Sequence, residues 1–164
     1  PEILKQVPEA HLLLVGKGPY LEHLAKLVAL HKVENHVSFI GRIQYAELPR
    51  FICAGDVFAM PSRSRLAGLE VEGLGIVYLE ASATGLPVIA GDSGGAPDAV
   101  IEGITGFVLN AKKETLLVEK IVELLLNKEL STRLGKQGRS WIEKQWQWPS
   151  RHLQLKKLLA TDVS

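Results

Sequence analysis

Apolar residues in this chain fall in short blocks separated by longer amphipathic stretches. His11–Val15, reading HLLLV and closed by Gly16, predicts a strand. Pro19 suits the first turn of a helix that continues to about Lys32. Val37–Ile40 predicts the next strand, Ala46–Ala54 a helix with Pro49 near its start, and Asp56–Met60 a buried strand stopped by Pro61. Pro61–Val71 reads as a loop carrying Arg63, Arg65 and Glu70. Gly75–Thr84 predicts a central helix, Pro87–Ala90 a strand, Ala96–Ile101 a short helix and Gly106–Leu109 a last strand. Helices then take over, at roughly Lys113–Asn127, Ser131–Gln145 and Pro149–Ala160.

Short, almost wholly apolar strands alternating with helices imply a parallel sheet covered on both faces. Right-handed crossovers then give an α/β, Rossmann-like doubly wound fold, expected to form one domain over residues 1–164. Ligands of such sheets bind outside the carboxyl ends of the strands. The turns Gly16–Pro19, Gly41–Ile43, Pro61–Gly75 and Gly91–Gly95 all follow strands, so they are expected at that one edge. The opening PEILKQVPEAH reads as the tail of a helix running into the first strand. A domain of this kind normally opens on a strand, so the chain is expected to begin inside a larger protein.

Composition narrows the function classes. With 46% apolar and 23% charged residues the chain has an ordinary globular profile. A net charge of +1 gives no general pull toward nucleic acid. The single cysteine, Cys53, excludes an internal disulfide and a multi-cysteine metal site, and is expected to be a small buried residue of an apolar helix face. The five histidines show no metal-ligand spacing. Trp141, Trp146 and Trp148 mark the C-terminal helices and are expected to pack in the core or against another domain rather than stack on bases, and Arg151 is expected on a solvated face.

Candidate chemistry concentrates in EGLGIVYLEASATGLPVIAGDSGGAPDAV. Glu72 precedes the central helix and Glu80 lies within it. Their offset of eight residues, a little over two helical turns, suggests that both project from one side. A carboxylate can accept two hydrogen bonds from vicinal hydroxyls of a ribose or hexose. Gly73, Leu74, Gly75 and Ile76 form the turn and the first helical positions, whose N–H groups have no intrahelical partner and suit a diphosphate. For each of these residues a plain structural role, a dipole-complementing glutamate or a tight glycine turn, stands beside the functional one. Gly16 and Gly18, in GKGP, form a second, looser phosphate-loop candidate, and Ser93–Asp98 could line a sugar.

The ordered set of E-x(7)-E, A-x-x-x-G-x-P-V-I-A, SGG-x-P-D and G-x-T-G-F-V, preceded by LLLVGKGP, VSFIGRI and AGDVFAMPS, resembles the C-terminal half of the GT-B retaining glycosyltransferases of glycosyltransferase family 4. Residues 61–98 look most like bacterial mannosyltransferases acting on phosphatidylinositol mannosides. The resemblance implies the donor-binding domain of such an enzyme, without its first strand. Glu72 would be the catalytic candidate, holding hydroxyls of the donor hexose, and Glu80 would hold the ribose. The backbone of Gly73–Ile76 would meet the sugar and diphosphate, Arg42 and Ile43 would lie beside the base, and Gly16 and Gly18 would border the nucleotide.

The implied reaction is transfer of a hexose to a hydroxyl with retention, using no metal and no cofactor. The donor is expected to be GDP-mannose first and a UDP-sugar second, and the acceptor a lipid or glycan. The family's diphosphate-gripping arginine and lysine have no counterpart here, and its N-terminal domain, a partner in the cleft, is expected to be missing. The chain alone is therefore expected to be inactive, with an exposed sheet edge that favours self-association. The whole protein is expected in the cytoplasm, peripheral at the inner face of the membrane. A nucleotide-sugar 2-epimerase fragment and a non-catalytic scaffold domain are the competing readings. A dinucleotide dehydrogenase fits least, for want of a complete G-x-G-x-x-G after any strand.

Overall fold

A computed structural model of the chain describes residues 1–161. Five strands alternate with helices in chain order: β1 (Leu12–Val15), α1 (Leu21–Leu30), β2 (Val37–Gly41), α2 (Leu48–Cys53), β3 (Phe58–Met60), α3 (Ile76–Ala83), β4 (Val88–Gly91) and β5 (Gly106–Leu109). Three helices follow, α4 (Glu114–Leu126), α5 (Lys128–Gln145) and α6 (Trp148–Thr161). Each element expected from the hydrophobic pattern is present with ends that move by a few residues, except that the short helix expected over Ala96–Ile101 is a 3-10 turn over Ala96–Ala99, with Val100 already extended. The stretch before β1 forms turns rather than the tail of a helix, with Gln6 and Val7 N–H groups both donating to the Ile3 carbonyl.

All strand pairs are parallel, as expected, but the expected single sheet is divided. β1 pairs with β2, while β4 pairs with β3 on one side and β5 on the other. Among the described residues no ladder joins β1 to β3. Parallel neighbours in this order are those found on the two sides of a doubly wound sheet.

Apolar area leaves water mainly around β4. Val88, Ile89 and Ala90 are all fully buried, as a central parallel strand covered on both faces requires. On one face Tyr78 and Ala81 of α3 meet Val88, Ala90 and Ile52. On the other, Ile89, Phe107 and Leu109 pack with Leu124 and Leu134 of α4 and α5. Gly135 lets α5 close on the turn that ends α3, because a Cβ there would overlap the Gly85 carbonyl oxygen.

The expectation of a sheet covered on both faces fails for β1 and β2. Leu12 is 53% exposed and α1 has no buried residue. The apolar content of HLLLV is real, but burial needs a neighbour on each face and edge, and β1 has one ladder partner. Cys53 is also exposed, not buried. It ends α2, whose inward residue is Ile52. Arg151 lies over the Trp146 ring, 4.2 Å from its centroid, rather than on a solvated face, and Trp146 meets Trp141 edge to face. Trp148 stays exposed.

Candidate functional site

The turns at the carboxyl ends of the strands are tied to one another. After β1, the Gly16 N–H donates to the Gly41 carbonyl at the end of β2, at 2.8 Å. After β2, the Tyr45 hydroxyl donates to Glu80 Oε1 of α3 at 2.9 Å. After β3, Ser62 Oγ donates to Glu72 Oε2 at 3.0 Å, and Ser64 Oγ lies 3.1 Å from Ser93 Oγ in the turn after β4. Ser93 Oγ also accepts from the Glu72 N–H at 3.1 Å. Gly16, Arg42, Ile43, Glu72, Gly73–Ile76 and Glu80 thus share one edge, as the strand directions predicted. Gly18 lies in the same first turn, exposed, with open space where a Cβ would stand. Arg42 is exposed and Ile43 half-buried, immediately after Gly41.

Glu72 and Glu80 reach this edge by different routes, which corrects the expectation drawn from helical spacing. α3 begins only at Ile76, and its N-cap Gly75 has a left-handed φ of 69°. Glu72 therefore lies outside the helix, and its offset from Glu80 has no helical meaning. The SGG turn holds it instead. The Gly95 N–H lies 3.2 Å from the Glu72 carbonyl and 2.9 Å from the Gly73 carbonyl, and donates to both. Gly94, at φ 54°, passes so close that a Cβ would overlap the Glu72 carbonyl oxygen. Ser93 is fully buried beneath the Glu72 backbone. The turn expected to line a sugar supports the backbone of Glu72.

The Glu72 side chain rests on a second support that sequence reasoning missed. Tyr78 is fully buried, with its hydroxyl 2.6 Å from the Met60 carbonyl and 2.8 Å from Ser62 Oγ. The phenol proton goes to the Met60 carbonyl. Burial pushes the Tyr78 phenol above its ordinary value of 10.0, the Ser62 hydrogen bond opposes that shift, and the Glu72 charge adds to it. The phenol therefore stays neutral and can donate at physiological pH. A tyrosine inside the otherwise aliphatic helix IVYLEASA was the available signal, since a buried phenol needs a polar partner.

Among the described residues, the N–H groups of Gly73, Leu74, Gly75 and Ile76 meet no protein acceptor. They line the start of α3, where the helix dipole adds positive potential. A row of free donors beside two half-buried carboxylates can hold a group with anionic oxygens at one end and hydroxyls nearby. Among the described residues no three His, Cys, Asp or Glu side chains gather as metal ligands. Arg65 turns toward Glu70, 3.5 Å away, and the two residues bridge the base of the loop before Glu72. Surface depressions along α5 and α6 are each bounded by one helix and lie away from this edge.

Comparison with known proteins converges on one family. The model for glycosyl transferases group 1 matches residues 1–141. The chain is 45% identical, over 162 residues, to a GDP-mannose-dependent alpha-(1-6)-phosphatidylinositol monomannoside mannosyltransferase of Mycobacterium tuberculosis, covering 99% of this chain and 42% of that protein. It is 39% identical over 145 residues to the sulfoquinovosyl transferase SQD2 of Arabidopsis thaliana, covering 87% of this chain and 26% of that protein. The chain thus spans less than half the length of these relatives. Among solved structures, sucrose-phosphate synthase from Thermosynechococcus elongatus aligns with a TM-score of 0.82 at 29% identity, over 97% of this chain and 40% of that one. The sequence motifs, the strand order and these likenesses agree: the chain belongs to the glycosyl transferases of group 1.

Proposed function

We propose that this chain is the donor-binding half of a retaining mannosyltransferase that moves mannose from GDP-mannose to a hydroxyl of a lipid-linked acceptor. One observation carries the reading most. The segments after β2, β3 and β4 are linked by hydrogen bonds that run through Glu72 and Glu80, beside the backbone N–H groups of Gly73–Ile76, which meet no acceptor among the described residues. The 45% identity to a GDP-mannose-dependent relative supports the choice of base and hexose, and its phosphatidylinositol monomannoside acceptor supports the lipid.

In this reading the N–H groups of Gly73–Ile76 take the sugar and diphosphate oxygens, and Glu72 takes hydroxyls of the hexose. Glu80 takes the ribose, Arg42 and Ile43 flank the base, and Gly16 and Gly18 border the nucleotide. As the glycosidic bond breaks, negative charge grows on the leaving diphosphate. Fixed N–H dipoles at the start of α3 oppose that charge without reorganising; removing one such preorganised donor typically costs about 2.7–4 kcal/mol of transition-state stabilisation. The chemistry needs neither metal nor cofactor. The rest of the cleft, including the acceptor site, belongs to a partner domain of the same polypeptide. We propose that the whole protein works in the cytoplasm, peripheral at the inner face of the membrane, a reading supported by the lipid named in the relative's acceptor.

The test is transfer of radiolabelled mannose by the full-length polypeptide to phosphatidylinositol mannoside. Retained anomeric configuration and a preference for GDP-mannose over UDP-glucose are expected. Transfer from UDP-glucose alone would overturn the donor assignment. Release of nucleotide and an altered free sugar without acceptor would favour the 2-epimerase reading.

A further inference from the structure

Tyr45 stands out among the residues the proposed chemistry leaves unused. It is 78% exposed, yet its hydroxyl is fixed on Glu80 Oε1 at 2.9 Å. So exposed a ring gains little from apolar burial, so packing does not account for its placement. The bond spans the division of the sheet. Tyr45 opens the short 3-10 turn Tyr45–Glu47 just after Gly41, Arg42 and Ile43, and Glu80 lies in the middle of α3.

We propose that Tyr45 is a positioning residue for the donor ribose, acting through the Glu80 carboxylate. The inference rests on the assignment of Glu80 to the ribose. Glutamate is rich in rotamers, and ordering it on ligand binding costs entropy. Among the described residues Glu80 has no other side-chain hydrogen-bond partner. The Tyr45 hydroxyl therefore settles its rotamer before the ligand arrives. It occupies one acceptor site on Oε1 and leaves the others, including both on Oε2, for a vicinal diol. The same bond sets the distance from the base-side residues Arg42 and Ile43 to the ribose-side carboxylate. The hydrogen bond to Glu80, and then the Glu80 charge, raise the Tyr45 phenol above its ordinary value of 10.0, so it remains a donor through neutral pH.

The exposure of Tyr45 makes the test clean, because Tyr45→Phe removes one hydroxyl from a solvent-facing ring. Calorimetric titration of the full-length polypeptide with GDP and with dideoxy-GDP compares wild type, Tyr45→Phe and Glu80→Gln. The expected result is an about five-fold loss of GDP affinity in Tyr45→Phe, the scale of one net hydrogen bond. Dideoxy-GDP binding is expected to be unchanged, so the preference for the ribose hydroxyls shrinks. In steady state KM for the donor rises while kcat holds. Tighter GDP binding by Tyr45→Phe would mean that the phenol occupies space the ribose needs, and would overturn the proposal. Equal losses for both nucleotides would also overturn it, by pointing to a general structural role. If Glu80→Gln shrinks the preference and Tyr45→Phe does not, the Tyr45 assignment alone falls. If Glu80→Gln leaves the preference intact, the ribose assignment beneath it falls as well.

Discussion

The two flanks of the sheet share a sequence pattern and differ in burial. β1, α1 and β2 carry apolar runs as strong as those of β3, α3 and β4. Yet Val88, Ile89 and Ala90 are fully buried, while Leu12, Leu13 and Val15 are exposed, as are Leu21, Leu24, Leu27 and Leu30 of α1. Partners make the difference. β4 has a strand on each edge and helices on both faces, whereas among the described residues β1 has a ladder partner in β2 alone. An apolar block records what a segment can bury, and the neighbours decide how much it does. Stability should accordingly reside in the β3–β4–β5 flank, with ligand recognition drawing on both.

The largest effect should come from crowding the stable flank. Gly135→Ala drives a Cβ into the Gly85 carbonyl, and overpacking of this kind costs about 1–3 kcal/mol or more. Leu30→Ala, at the 72% exposed last residue of α1, should cost under about 1 kcal/mol, because little area is returned to water. Urea denaturation with a common slope checks both. Comparable losses would dissolve the contrast between the flanks.

Gly94→Ala should rank with Gly135→Ala. It combines a left-handed φ of 54° with an overlap onto the Glu72 carbonyl, and the two together should cost about 2–5 kcal/mol. Unlike Gly135→Ala, it should also weaken donor binding in protein that remains folded, since it displaces Glu72. Titration of folded variant with GDP-mannose separates the two effects.

Smaller still is a pH effect confined to the buried flank. Tyr78 has a raised phenol pKa in the folded state, so the folded form holds its proton after the unfolded form has lost it. Its contribution is therefore fully present below the ordinary value of 10.0 and is lost as pH rises through the folded value. Stability should fall above pH 10.0, and Tyr78→Phe should flatten that slope, at a cost of about 1 kcal/mol at neutral pH for its hydrogen bonds. Thermal melts across alkaline pH read this directly. The gentlest probe is amide exchange, in which the β4 amides should exchange more slowly than those of β1.

Much of the fold was legible because hydrophobic blocks, Gly stops and Pro49 at the start of α2 act locally. The common edge of the site was legible too, since parallel strands bring all their following turns to one side. Two kinds of feature were not. The exposure of Cys53 and of the α1 leucines depends on which neighbours pack against them. The supports of Glu72 depend on contacts distant in sequence: Ser62 lies 10 residues away and Ser93 21 residues away. The glycines of the SGG turn were visible, but their steric purpose, letting Glu72 pass close, appears only when β4 stands beside β3. Tyr45 and Glu80 are 35 residues apart, and no local pattern links them.

The most direct test of the site is calorimetric titration of the full-length polypeptide with GDP-mannose, comparing wild type with Glu72→Ala and Glu80→Ala. Each carboxylate lost should weaken binding by about ten-fold or more, the scale of charge-assisted hydrogen bonds of about 1.5–3 kcal/mol, with thermal stability little changed. Unaltered affinity in both variants would contradict the account and move the donor away from this edge.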